Sequence, residues 1–221
     1  MNRRNFLKSI ALTGAAITIT ESGATTLMSQ HFNQVAGQAS GTGAYDLVAV
    51  LGGEPVAMFR KAITEMGGMG KFVSKGQKVA VKPNIGWDKT PELAANTNPE
   101  LIREIVKQCF DAGASEVVVF DHTCDDWRKC YASSGIEAAA KAAGARVVPA
   151  DQESYYKQVS LPKGKSLKTA KVHEAILNAD VWINVPVLKN HGGAKMSISM
   201  KNLMGIVWDR RFFHANNLQQ C

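Results

Sequence analysis

The chain has 221 residues, 45% of them hydrophobic and 20% charged, with 26 Lys+Arg against 19 Asp+Glu and four cysteines. That is enough apolar material for one substantial packed domain, and it excludes global disorder, collagen, coiled coil and a disulfide-built scaffold. The net charge of +7 is scattered, with no basic run of five and no aromatic interleaving, so it argues against nucleic acid and leaves room for a small anion.

The N-terminus reads Arg3-Arg4-Asn5-Phe6-Leu7-Lys8, followed by small and apolar residues to position 20. This resembles a twin-arginine export signal. Asn2 stands where that signal usually has Ser or Thr. The alternative is a basic amphipathic helix belonging to the fold. The expected organisation is a signal peptide and linker over 1–39, cleaved after Ala39, and one α/β domain over 40–221. The twin-arginine export machinery is then a partner, and the folded chain is expected in the periplasm or another extracytoplasmic space. No apolar run reaches the roughly 18–20 residues of a spanning helix, so no stable transmembrane anchor is expected.

Residues 40–44 read as a flexible lead-in, and 45–51 as a short strand. Val56, Phe59, Ile63 and Met66 fall at helical spacing over 55–66, stopped by Gly67-Gly68. A strand follows at 77–81, then a polar loop to Thr97. Asn98 with Pro99 predicts a helix start, and Leu101, Ile102, Ile105, Val106, Cys109 and Phe110 give that helix an apolar stripe ending at Gly113. The Val-rich run 116–120 is a buried strand closed by Asp121. Ser134 and Glu137 have capping-box spacing before an Ala-rich helix that ends at Gly144, and 145–148 is a strand. The joints Ala112-Gly113-Ala114 and Ala143-Gly144-Ala145 repeat the order helix, Gly, Ala, strand, which is the grammar of βαβ units. A hairpin around Pro162-Lys163-Gly164, a short helix at 172–177, a buried strand at 181–185 and an apolar segment at 196–207, expected to pack against the sheet, complete the pass. The predicted fold class is α/β, a mainly parallel sheet flanked by helices in three layers, Rossmann-like in outline.

In such sheets ligands bind beyond the carboxyl ends of the strands. Three of those ends carry unusual polar residues: Lys82 and Asn84; Asp121, His122, Cys124, Asp125 and Asp126; and Lys189, Asn190 and His191 with Lys195 near. A further cluster, Lys201-Asn202 with Gly205, Arg210, Arg211 and His214, is harder to place. Each has a plain reading beside the functional one. Lys82 is a surface residue, or it meets an anion or Asp121. Asp121 caps a turn, or it serves chemistry. Asp121, His122, Cys124 and Cys130, with His191, are a candidate metal set, although their spacing matches no paired-Cys zinc pattern. Cys124 and Cys130 are otherwise a disulfide pair or two thiols near a loop. Cys109 belongs to the core, and Trp87, Trp127 and Trp182 to packing, although Trp87 and Trp127 lie on loops where aromatic walls of pockets often occur. No P-loop or dinucleotide fingerprint is present, so no nucleotide cofactor is implied, and no ferredoxin-type Cys run is present.

Five motifs occur in order: Lys82-Pro83-Asn84-Ile85-Gly86; Thr97-Asn98-Pro99-Glu100; the stretch from Ala112-Gly113-Ala114 to Asp121-His122-Thr123-Cys124; Asn184-Val185-Pro186-Val187-Leu188-Lys189-Asn190-His191; and Met200-Lys201-Asn202-Leu203-Met204-Gly205. That order resembles the family called domain of unknown function 362 (DUF362). The resemblance carries no established activity. It implies shared polar positions at Lys82, Asn84, Thr97, Asn98, Asp121, Lys189, His191, Lys201 and Asn202. Some members of the family are joined to iron–sulfur cluster domains. Members usually continue past the position of His214, so this chain is expected to be C-terminally short, with its α/β domain incomplete.

The expectation is therefore an exported protein that binds a small anion at the sheet's carboxyl ends. Lys82, Asn84, Thr97, Asn98, Lys189, Lys201 and Asn202 would hold the anion, and Asp121 and His191 would serve acid/base chemistry. The alternatives are an iron–sulfur or metal-associated redox protein and a non-catalytic component of an exported complex.

Overall fold

The computed structural model describes residues 45–215. The twin-arginine segment, the lead-in at 40–44 and residues 216–221 lie outside the described residues. In chain order the elements are α1 (Pro55–Glu65), β1 (Lys78–Pro83), α2 (Pro99–Asp111), β2 (Glu116–Val119), α3 (Trp127–Ser133), α4 (Ile136–Ala142) and β3 (Arg146–Val147). There follow β4 (Tyr156–Ser160), β5 (Thr169–His173), α5 (Glu174–Leu177), β6 (Val181–Val185), β7 (Lys189–His191), β8 (Lys195–Ser197), α6 (Ser199–Asn202) and α7 (Arg210–Ala215).

Four strands form a parallel sheet in the order β3-β2-β1-β6. Val81 of β1 lies beside Val119 on one side and Ile183 on the other. The pleat sends Val79, Val81, Val117 and Val119 into one core with Ile102, Ile105 and Val106 of α2 and Ile136 and Ala140 of α4, and Phe59 and Ile63 of α1 pack against it. The opposite face holds a smaller core of Ala80, Phe120, Ala150, Tyr156 and Ile176, completed by Val172, Ile206 and Trp208. The α/β class with a helix-flanked parallel sheet is thus the observed fold. β4 and β5 pair antiparallel, the hairpin predicted around Pro162-Lys163-Gly164, and β7 and β8 form a second small hairpin.

Helix α2 begins where the sequence predicts. The Asn98 side chain accepts from Leu101 N at 3.0 Å, which satisfies a helix-end donor, and Pro99 occupies the first turn. The two matched joints are also real: Gly113 (φ 98°) and Gly144 (φ 94°) both sit in the left-handed region that favours glycine after a helix.

Four expectations need correction. Residues 45–51 form no strand, and Leu47 and Leu51 are exposed, because an apolar run without a neighbouring strand has nothing to pair with. Ser134 is not in a capping box: it is the C-cap of α3, and Gly135, left-handed at φ 70°, is the N-cap of α4. The preceding α3 went unpredicted, although Asp126 caps it by accepting from Lys129 N at 3.1 Å. Val172 and His173 belong to β5, and the short helix starts at Glu174, with the His173 ring accepting from Ala175 N. Finally, only part of the 196–207 segment packs inward: Met204, Gly205 and Val207 are buried, whereas Met196, Ile198 and Met200 are exposed.

Candidate anion site at the strand ends

The pleat decides where the site's first cation goes. Val79 and Val81 face the helical core, so Ala80 and Lys82 face the other layer. There Lys82 is buried, with Nζ 2.8 Å from Asp121 Oδ1. Beside this ion pair, the ammonium donates to Pro83 O at 2.7 Å and to Asn202 Oδ1 at 3.2 Å. Burial pushes the Lys82 ammonium below the usual lysine range, and the Asp121 carboxylate opposes that push.

Asp121 follows β2 directly. Its Oδ2 accepts from Ile85 N at 2.7 Å, and its backbone N–H donates to the Tyr131 hydroxyl of α3 at 2.7 Å. Gly205 closes the pair from above: a Cβ there would lie 1.9 Å from Asp121 Oδ1 and 2.6 Å from Lys82 Cε. Only a residue without a side chain fits that approach.

A second polar layer joins the ends of β1 and β6. Thr97 Oγ1 donates to Val185 O and accepts from Asn84 N, both at 2.8 Å. Lys189 Nζ donates to Asn84 Oδ1 at 2.7 Å and to Ala95 O at 2.8 Å. Asn202 Nδ2 donates to Asn184 Oδ1 at 2.8 Å. Asn96, which sequence reasoning passed over, holds the intervening loop by accepting from Gly86 N and Trp87 N at 3.0 and 3.1 Å. An Asn inside a polar loop gives no signal of such a role.

Above these layers lies a cavity of about 460 Å³ whose polar walls include Lys189, His191, Lys201, Arg210, Arg211 and Cys124. Asp121 is the one carboxylate among the described residues of its lining, and Lys82 already faces it. The side-chain head groups of Lys201 and Arg211 have no hydrogen-bond or ion-pair partner among the described residues. Burial lowers both Lys189 and Lys201; the nearby Cys124 and Asp121 oppose it, while Lys201 and Lys82 push Lys189 further down and Arg210 does the same to Lys201. His191 is lowered in the same way, by burial first and then by Lys201, His214 and Lys189. The His191 Nδ1 accepts from Ala194 N at 2.9 Å, so in the neutral ring Nε2 carries the proton. Arg210 donates to His122 O and Thr123 O, both at 2.7 Å, which ties α7 to the loop after β2. The harder-to-place residues Lys201, Gly205, Arg210, Arg211 and His214 all belong to this cavity.

Not every predicted residue reaches it. Asn98 is spent on capping α2, and Thr97 on backbone groups. The candidate metal set is spread out. The His122 ring meets Val207 O at 3.1 Å and stacks on Trp208, Cys130 is buried, and Cys124 is exposed. Cys124 and Cys130 are free thiols. Among the described residues no group of three or more His, Cys, Asp or Glu is placed to hold a metal ion.

The strand-end Lys82, Asp121, Lys189 and Lys201-Asn202 all fall inside residues 79–221, which match the family model Domain of unknown function (DUF362). The chain belongs to the DUF362 family. This DUF362 chain is also similar to the thylakoid-associated protein sll1697 of Synechocystis sp. (strain ATCC 27184 / PCC 6803 / Kazusa). The two are 26% identical over 155 residues, 70% of this chain and 47% of that protein. The chain therefore spans about half the length of the curated relative it matches. Among its described residues no helix is long and apolar enough to cross a membrane.

Proposed function

We propose that this DUF362 domain binds a small anion in the cavity at the carboxyl ends of β1, β2 and β6. The observation that carries the reading is the pair Lys201 and Arg211. Among the described residues both head groups are without partners, in a cavity whose one described carboxylate is already matched by Lys82. Lowered lysines crowded by like charge gain from an incoming anion, because it removes their mutual repulsion.

Binding is better supported than proton transfer. Asp121 is buried against Lys82 and Ile85 N, so it anchors charge and has no route to accept a substrate proton without breaking that pair. His191 presents Nε2–H, which suits it to donate a hydrogen bond to the anion. Export through the twin-arginine pathway belongs to the same proposal and rests on residues 3–8.

Isothermal titration of the full chain with inorganic phosphate and with citrate tests the reading. Saturable binding is expected, weakening with added salt and in Lys201→Gln and Lys189→Gln. Absence of saturable binding by both anions at low ionic strength overturns it.

A further inference from the structure

A second cavity, of about 820 Å³, lies between the β4–β5 hairpin and residues 207–213. It shares His122, Arg210 and Arg211 with the anion cavity. Its other walls are of a different kind, with Trp208, Phe213, Val207, Leu167 and Ala170 among them.

The aromatic wall is fixed in place. The Trp208 ring stacks on His122 with centroids 5.2 Å apart and planes 5° apart, and it tilts against Tyr156 at 5.4 Å. Trp208 N donates to Lys171 O at 3.0 Å, and Val207 bridges to Val172 of β5. Held by these contacts, Trp208 still lines the cavity.

The charges in this second cavity are unequal in what they leave over. Glu153 pairs with Lys171, and Asp209 Oδ1 accepts from Phe212 N. Arg210 is spent on two carbonyls. Arg211 alone among these ionic groups has no partner among the described residues, and it borders both cavities. A bare inorganic anion would satisfy Arg211 and Lys201 but leave the apolar wall wet.

Building on the anion reading above, we infer that the ligand is an anion with a planar aromatic body. Its charge sits by Arg211 and Lys201 and its ring lies against Trp208 and Phe213. Ring burial and stacking reward an arene over a flexible chain of similar size, because the arene has fewer rotors to freeze.

Titration calorimetry on the full chain with phosphate, acetate, octanoate and 2-naphthoate tests this. Naphthoate is expected to bind at least about tenfold tighter than acetate, and tighter than octanoate. Two opposite changes in the second cavity should each erase that gain while phosphate binds as before: Phe213→Ala, which removes a wall, and Ala170→Phe, which fills the space. Phosphate binding with naphthoate no tighter than acetate or octanoate overturns the inference and leaves the anion reading standing. A naphthoate gain that survives both variants overturns it as well. Failure of phosphate and all three carboxylates removes the anion reading and this inference with it.

Discussion

Lys82 Nζ lies 2.8 Å from Asp121 Oδ1, with the two side chains 1% and 3% exposed, at the carboxyl ends of adjacent strands. Desolvation makes such a pair a weak source of net stability, but removing one partner strands the other charge. Lys82→Met is therefore expected to cost about 3–5 kcal/mol. The double variant Lys82→Met/Asp121→Asn should recover much of that loss, since no lone charge remains and Asn still accepts from Ile85 N. Urea denaturation of the two single variants and the double gives the coupling. Additive losses would show that the pair is not the unit that matters.

Gly205 tests the same pair by sterics. An added methyl would meet Asp121 Oδ1 at 1.9 Å and Lys82 Nζ at 2.8 Å, and neither atom can retreat without breaking a buried contact. Gly205→Ala is expected to lower the urea midpoint by as much as a core-disrupting change, on the order of 3 kcal/mol. Gly70→Ala is the control. It has open space at the Cβ position and no positive φ, so it should be neutral or slightly stabilising.

Much of this site could be read from residue order, for a physical reason. The alternation of a strand fixes which face Lys82 takes, and the strand-end rule places Asp121 and Lys189 beside it. The N-cap at Asn98 and the glycines after α2 and α4 are local devices, legible from a few residues. What escaped depends on partners distant in sequence. The segment 45–51 looks like a strand until one asks what it pairs with. Ser134 looks like a capping box until Gly135 takes the left-handed turn between two helices. Thr97 and Asn98 look like ligand residues, yet they satisfy backbone groups. Arg211 gains its meaning from Lys201, ten positions away, and Trp208 from His122, which no periodicity connects.

Glu104 should shape the acid stability of the α1–α2 contact. Arg60 binds it through two hydrogen bonds, Nε to Oε1 at 2.8 Å and Nη2 to Oε2 at 2.7 Å, and Gln108 donates to Oε1. The Arg60 hydrogen bonds, against burial, hold the carboxyl down at about 2. A folded value below the unfolded one of about 4.3 contributes stability that is complete at neutral pH. That contribution is lost as pH falls through about 5 towards 2. Urea midpoints measured across that window should fall more steeply in the parent chain than in Glu104→Gln or Arg60→Met. Arg60 is 62% exposed, so high salt should shrink the difference. Identical acid limbs in all three chains would assign the acid loss to other carboxylates.

The thiols give the last test, because burial separates them by environment. Burial pushes Cys109 up to about 12 and Cys130 up to about 11. A thiolate is the reactive form, so both should be silent towards a disulfide reagent at neutral pH. Cys124 is exposed at the cavity rim, with Arg210 Nη1 3.8 Å from its sulfur. In a Cys221→Ser background, which removes the thiol outside the described residues, one equivalent should react in the folded protein and three after unfolding in urea. Phosphate should slow that single reaction if the anion occupies the cavity that Cys124 lines. Two fast equivalents would mean that α3, which carries Cys130, opens on the timescale of the assay. None would mean that the rim around Cys124 is covered, and the anion cavity with it.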